Sequence, residues 1–274
     1  SGSDFISFDG RALTLNETIS VANANTLSGG TSGLVTATIT TGAVAALNVL
    51  SDGGGQTNNF TMTIDDTTVD AGDLKTLRGK TSVDITVSSL TALTGTYAEV
   101  KDFRDELANY TTESNIVKVT LDAGAVDSGS DLATLSANLQ ANVNTALQID
   151  LQNVTTITGS FNDLNGIRTN TGALNSGSDF ISFDGRALTL NETVSVGNAN
   201  TLLGLTSGKV TASVTAGNLT TLNGLNAEAG NAIATTVNTA TVDLGDLATL
   251  DTKIDQTSGG SISINDVTTL EGSF

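Results

Sequence analysis

Short segments in which apolar and polar residues alternate recur along the chain. They begin as Leu13/Leu15, Ala37/Ile39, Met62/Ile64, Val83/Ile85/Val87, Val119/Leu121 and Leu147/Ile149/Leu151. They resume as Leu188/Leu190, Ala212/Val214, Thr235/Val237 and Ile262/Ile264. The intervening residues are mostly Thr, Asp, Ser, Asn or Gln. A period of two with one apolar face predicts a β-strand at each position.

Each predicted strand is followed by an apolar pair spaced three apart: Leu74/Leu77, Leu90/Leu93, Leu132/Leu135, Val154/Ile157, Leu219/Leu222, Leu247/Leu250 and Val267/Leu270. That spacing is helical. The longest stripe, Leu90, Leu93, Tyr97, Val100, Phe103 and Leu107, predicts one helix over residues 88–107. The shorter Thr-rich stretches read as helical or 3₁₀ turns.

The chain also repeats itself. Residues 1–18 read SGSDFISFDGRALTLNET, and residues 176–193 read the same. Beyond that, LVTATITTGAVAALNVL from Leu34 matches KVTASVTAGNLTTLNGL from Lys209, and DAGDLKTL from Asp70 matches DLGDLATL from Asp243. The irregular succession of strand-to-helix gaps recurs too: Leu15 to Leu27, Ile39 to Leu47, Ile64 to Leu77 and Val87 to Leu93 are echoed from Leu190 to Leu202 onward. Residues 1–175 thus form a first large repeat of six coils, and residues 176–274 a partial second repeat of four.

Units that cannot bury their own apolar face must stack. The fold class expected is α/β, a single continuous right-handed solenoid of about ten strand–helix coils with one parallel β-sheet face. The alternative is a pure parallel β-helix in which the crossovers are strands as well. Absence of Pro suits parallel ladders, which cannot spare an N–H. The first and last coils lack polar caps, which predicts a piece of a longer chain whose partners are neighbouring repeats, with end-to-end self-association.

Composition narrows the chemistry. The 274 residues include no Cys, His, Trp or Pro, and aromatics make up 4%. The net charge of −18 argues against nucleic acid as a partner. No apolar run is long enough for a membrane span. Without His or Cys the usual triads and zinc sites cannot be assembled, and no enzyme activity is expected. Asp65/Asp66, Asp102/Asp105 and Asp127/Asp131 are the pairs a glycosidase would need, and they read more simply as coil edges or helix caps. RGKTS at residues 78–82 has the core of a phosphate loop but Leu74 where its first Gly belongs, so Gly79 reads as a helix end.

No cofactor is expected, and calcium is the one cation the carboxylates would suit. The candidate ligands are Asp4 and Asp9, their copies Asp179 and Asp184, and Asp127 with Asp131; a calcium ion takes about six to eight oxygens. Outward Thr rows, Thr36/Thr38/Thr40 and Thr61/Thr63, suggest an ice-binding face, but Asp84, Lys118, Gln148 and Asp150 break the rows.

DAGDLKTLRGKTSVDITVSSLTALTGTYAEV, with its echoes DLATL, VTTITGSFNDL and VTTLEGSF, resembles the repeat units of giant secreted cell-surface proteins of marine bacteria, notably cyanobacteria. The resemblance implies an extracellular or cell-surface spacer, coat or adhesin shaft. Such proteins often carry calcium-binding nonapeptide repeats, and SDGGGQTNNF at residues 51–60 has the glycines of these without their spaced aspartates. A surface-, glycan- or ice-binding module and a polysaccharide-active enzyme are the competing expectations. The near repetition of every coil in the second copy argues against a unique catalytic site.

Overall fold

A computed structural model describes residues 8–51, 57–111, 113–126, 128–169, 183 and 185–272. The boundary between the two large repeats lies outside the described residues. In chain order the elements are β1 (Leu13–Ile19), α1 (Val21–Gly30), β2 (Val35–Ile39), α2 (Val44–Leu47), β3 (Asn59–Thr63), β4 (Thr68–Asp70), α3 (Ala71–Arg78), β5 (Ile85–Thr86) and β6 (Ala92–Gly95). Then come α4 (Tyr97–Asp105), β7 (Tyr110–Thr111), β8 (Lys118–Leu121), β9 (Gly124–Val126), α5 (Gly129–Asn142), β10 (Gln148–Asp150), β11 (Val154–Gly159) and α6 (Phe161–Thr169). The chain continues with β12 (Ala187–Val194), α7 (Val196–Leu203), β13 (Val210–Val214), α8 (Leu219–Leu222), β14 (Ala232–Thr236), β15 (Thr241–Asp243), α9 (Leu244–Lys253), β16 (Ser261–Ser263) and β17 (Thr269–Glu271).

The fold is mixed α/β with parallel sheets, and no sheet among the described residues closes into a barrel. It divides into two compact units, Ser1–Asp122 with Leu135–Asp150, and Ala123–Thr134 with Leu151–Phe274.

In the first unit one sheet has the order β1-β2-β3-β5-β7 and a second the order β10-β8-β6-β4. All pairings are parallel, with Leu13 opposite Val35, Thr36 opposite Asn59 and Met62 opposite Ile85. Val35, Ala37, Ile39, Phe60, Met62 and Ile85 are buried, whereas Thr38 and Thr61 face solvent. This is the alternation read from sequence, and it holds because a one-residue slip would turn every apolar side chain outward. Helices α2, α3 and α4 pack in succession on one another. Asp70 and Thr96 cap α3 and α4, the latter through a full capping box with Glu99. Leu74 and Leu77 of α3 are fully buried, worth about 2 kcal/mol each.

The second unit has a sheet of order β16-β14-β13-β12-β11-β9 and a two-stranded sheet, β15-β17. Its β12–β13 pair repeats the first unit's β1–β2 pair, with Leu188 opposite Val210 and the same register irregularity, here between Thr189 and Thr193. The helices α7 and α9 begin on Ser195 and Asp243, as α1 and α3 begin on Ser20 and Asp70.

All ten alternating segments are strands, but three expectations are corrected. The single parallel sheet face is replaced by four parallel sheets. The helix expected over residues 88–107 is a turn at Leu90, strand β6, helix α4 and a 3₁₀ turn at Leu107–Asn109. The apolar pairs of the segments TALTG, VTTITG and VTTLEG belong to β6, β11 and β17 and the turns before them. A spacing of three arises there because Leu90, Val154 and Val267 close tight turns onto Val87, Leu151 and Ile264. The β-branched Thr residues that follow favour extended backbone. Asp150, expected to face outward, is 5% exposed and pairs with Lys118 at 3.2 Å.

Candidate functional site

The sheet β10-β8-β6-β4 places the ends of three successive strands side by side. Asp70 ends β4, where it lies opposite Thr94 of β6. Glu99 follows β6 in the first turn of α4. Asp122 follows β8 directly, its N–H donating to the Gly95 carbonyl at 2.8 Å. One carboxylate oxygen from each lies within 4.8 Å of the others. Asp70 and Glu99 are half-buried and Asp122 is exposed.

What holds these charges together is on the page. Asp70 Oδ1 accepts from the N–H groups of Gly72 and Asp73 at 2.9 and 3.4 Å. Glu99 Oε2 accepts from the N–H and the hydroxyl of Thr96, both at 2.8 Å. Both acids therefore sit on helix N-termini, whose unpaired amides and dipole favour negative charge. Gly72 permits this approach, since a Cβ there would meet Glu99 Oε1 at 2.6 Å. Three carboxylates supply fewer oxygens than the roughly six to eight that calcium takes, so solvent would have to complete any such shell.

The residues singled out from sequence are placed differently. Asp4, Asp127, Asp179 and Asp184 lie outside the described residues. Asp9 is exposed and accepts from the Ser32 hydroxyl at 2.8 Å. Asp131 lies in the first turn of α5, its N–H donating to the Ser128 hydroxyl at 3.3 Å. The glycosidase pairs are occupied as well. Asp66 accepts from the Val44 N–H at 2.6 Å and so serves the N-terminus of α2, whose own cap residue is Ala43. Asp102 pairs with Lys75 at 2.5 Å, which holds the Lys75 ammonium above its ordinary pKa. Asp105 pairs with Arg104 at 2.7 Å, and the Arg104 hydrogen bond lowers its pKa.

In RGKTS, Gly79 does end α3, in right-handed rather than left-handed conformation. Thr81 is buried and bonded to the backbone of Phe60, so the segment carries a structural turn instead of a phosphate cradle.

Sequence reasoning missed the acidic trio because its members lie on three turns of chain. The one available signal was Asp or Glu at the ends of segments that become neighbouring strands. Sequence reasoning also missed a set of polar side chains that bridge successive turns. Asn25 donates to the Val49 carbonyl at 3.0 Å and accepts from the Ser51 N–H at 2.8 Å; Asn200 does the same with Gly224 and Asn226. Thr31 bonds the Arg11 carbonyl as Thr206 bonds that of Arg186. Asn58 and Asn231 accept from the N–H groups of Val35 and Val210.

No family model, curated protein or solved structure matches the chain. No helix among the described residues is long and apolar enough to cross a membrane.

Proposed function

We propose that the chain is a structural spacer segment of a large extracellular surface or adhesin-like protein, without enzymatic activity. In this reading the parallel strands and their helices are about ten stacked coils of a right-handed solenoid. One observation carries it. The polar side chains of Asn25, Asn58 and Thr31, and their counterparts Asn200, Asn231 and Thr206, all bond backbone groups of the adjacent turn. The sequence separations of such bonds, from 20 to 31 residues, are one turn of chain each. Polar groups that a binding or catalytic site would present are here spent on stacking turn upon turn. The acidic surface suits a rod kept soluble and apart from other anionic surfaces.

Small-angle X-ray scattering of the purified chain tests the reading. An elongated particle with the cross-section of one coil is expected. A compact particle with the radius of gyration of a globular protein of this length overturns it.

A further inference from the structure

The two free strand edges of this protein carry sequences that it already pairs with each other internally. In the second unit β11 lies beside β12, with Thr156 opposite Ala187, Ile157 opposite Leu188, Thr158 opposite Thr189 and Gly159 opposite Leu190. The first strand belongs to QIDLQNVTTITGSF (residues 148–161) and the second is ALTLNETV (residues 187–194). The last described strand, β17, belongs to SISINDVTTLEGSF (residues 261–274), which aligns with the former without a gap. The first strand, β1, lies in ALTLNETI (residues 12–19), which differs from the latter at one residue.

Each edge also has the same inner neighbour as its internal counterpart. β17 lies beside β15 with Leu270 opposite Val242, as β11 lies beside β9 with Ile157 opposite Val126. β1 lies beside β2 with Leu13 opposite Val35, as β12 lies beside β13 with Leu188 opposite Val210. Only the outer neighbour is lacking: β1 and β17 are sheet edges, whereas β11 and β12 are each paired on both sides.

Exposure follows that difference. Ile157 and Leu188 are fully buried, while Leu270 is 51% exposed and Leu13 and Leu15 are half-buried. Leu151 is buried and Ile264, its counterpart, is 41% exposed. Arg186 Nε donates to the Leu151 carbonyl at 2.9 Å, and Arg11, the counterpart of Arg186, is exposed.

We infer that the occupant of the β17 edge is a second copy of this chain, docked through its β1. The register is that of β11 on β12: Thr269 opposite Ala12, Leu270 opposite Leu13, Glu271 opposite Thr14 and Gly272 opposite Leu15. Arg11 of one copy then reaches the Ile264 carbonyl of the other. Because the two edges differ, the contact is head-to-tail, and it propagates into linear assemblies rather than closing as a symmetric dimer. The inference stands on the observed β11–β12 pairing and holds whether or not the chain has a surface role.

Site-directed cross-linking tests it in the full chain, which has no Cys of its own. Adjacent parallel strands lie about 4.8 Å apart, within disulfide reach. Leu13→Cys and Leu270→Cys proteins, each checked for native circular dichroism, are mixed under mild oxidation. A species of doubled mass is expected, and it is expected to be lost when Leu13→Cys is replaced by the out-of-register Asn16→Cys. Folded variants that give no doubled mass, or as much of it with Asn16→Cys, overturn the proposal. In the unmodified protein, sedimentation is expected to show mass rising with concentration, and Leu270→Asp to remove that rise. A mass that stays monomeric throughout overturns it too.

Discussion

Thr81 and Phe60 exchange two hydrogen bonds: the Thr81 hydroxyl donates to the Phe60 carbonyl at 2.8 Å and accepts from the Phe60 N–H at 3.0 Å. It also accepts from the Val83 N–H at 3.2 Å. Both residues are buried. A side chain in a turn thereby satisfies the backbone of β3 where no strand residue does, and the same device recurs at Asn58 and Asn231. Replacing Thr81 with Val keeps the shape and leaves those buried groups unpaired. The expected loss is about 1–3 kcal/mol, read as a lower urea midpoint; Thr81→Ser is expected to recover most of it.

Gly33 and Gly208 lie two residues beyond Thr31 and Thr206, whose hydroxyls accept from their N–H groups at 2.9 and 2.8 Å. A Cβ at either glycine would collide with the backbone carbonyl of Arg11 or Arg186. Gly33→Ala and Gly208→Ala are each expected to cost about 1–3 kcal/mol. Denaturant melts of the two variants should agree closely, since the two repeats build this corner alike.

Asp70 and Asp243 make the same cap, on α3 and α9, but only Asp70 belongs to the acidic trio. Asp70→Ala and Asp243→Ala are each expected to cost about 1 kcal/mol through the lost cap. Melts in EDTA and in millimolar calcium separate that role from ion binding. The expected result is an Asp70→Ala loss that is the same in both; a loss that grows in calcium would show that the trio holds the ion.

Asp255 accepts hydrogen bonds from the Thr257 and Ser258 hydroxyls and from the N–H groups of Gly230, Thr257 and Ser258. These lower its pKa well below the usual 3.8, the Thr257 hydroxyl first. A depressed carboxyl stabilises the fold above its unfolded value and loses that contribution as pH falls through the folded value. Stability measured from pH 5 downward should therefore fall less steeply in Asp255→Asn than in the unmodified chain. Equal slopes would show that these bonds do not form in solution.

Much of this fold was legible in the sequence. Alternation marked Leu13, Ala37, Met62, Ile85, Val119, Ile149, Leu188, Ala212, Thr235 and Ile262, and a strand stands at each. Alternation survives translation into structure because one face of each strand is buried. The pairs Leu90/Leu93, Val154/Ile157 and Val267/Leu270 misled, because a spacing of three over so few residues fits a turn followed by a strand as well as it fits a helix. The acidic trio was illegible for a different reason. Local searching finds neighbours such as Asp127 and Asp131, whereas Asp70, Glu99 and Asp122 meet through pairing of β4, β6 and β8.

The sequence by itself determined the repeat, the alternating strands and the parallel order of their pairing. Those properties follow from local periodicity and from connections too long for hairpins. Tertiary structure alone decided that the Thr-rich segments extend into further sheets, because a short β-branched stretch takes its conformation from the neighbour offering it hydrogen bonds. It alone decided which Asn and Thr side chains turn inward to complete a neighbouring turn, because a buried amide must find a partner and sequence does not show which turn lies beside it.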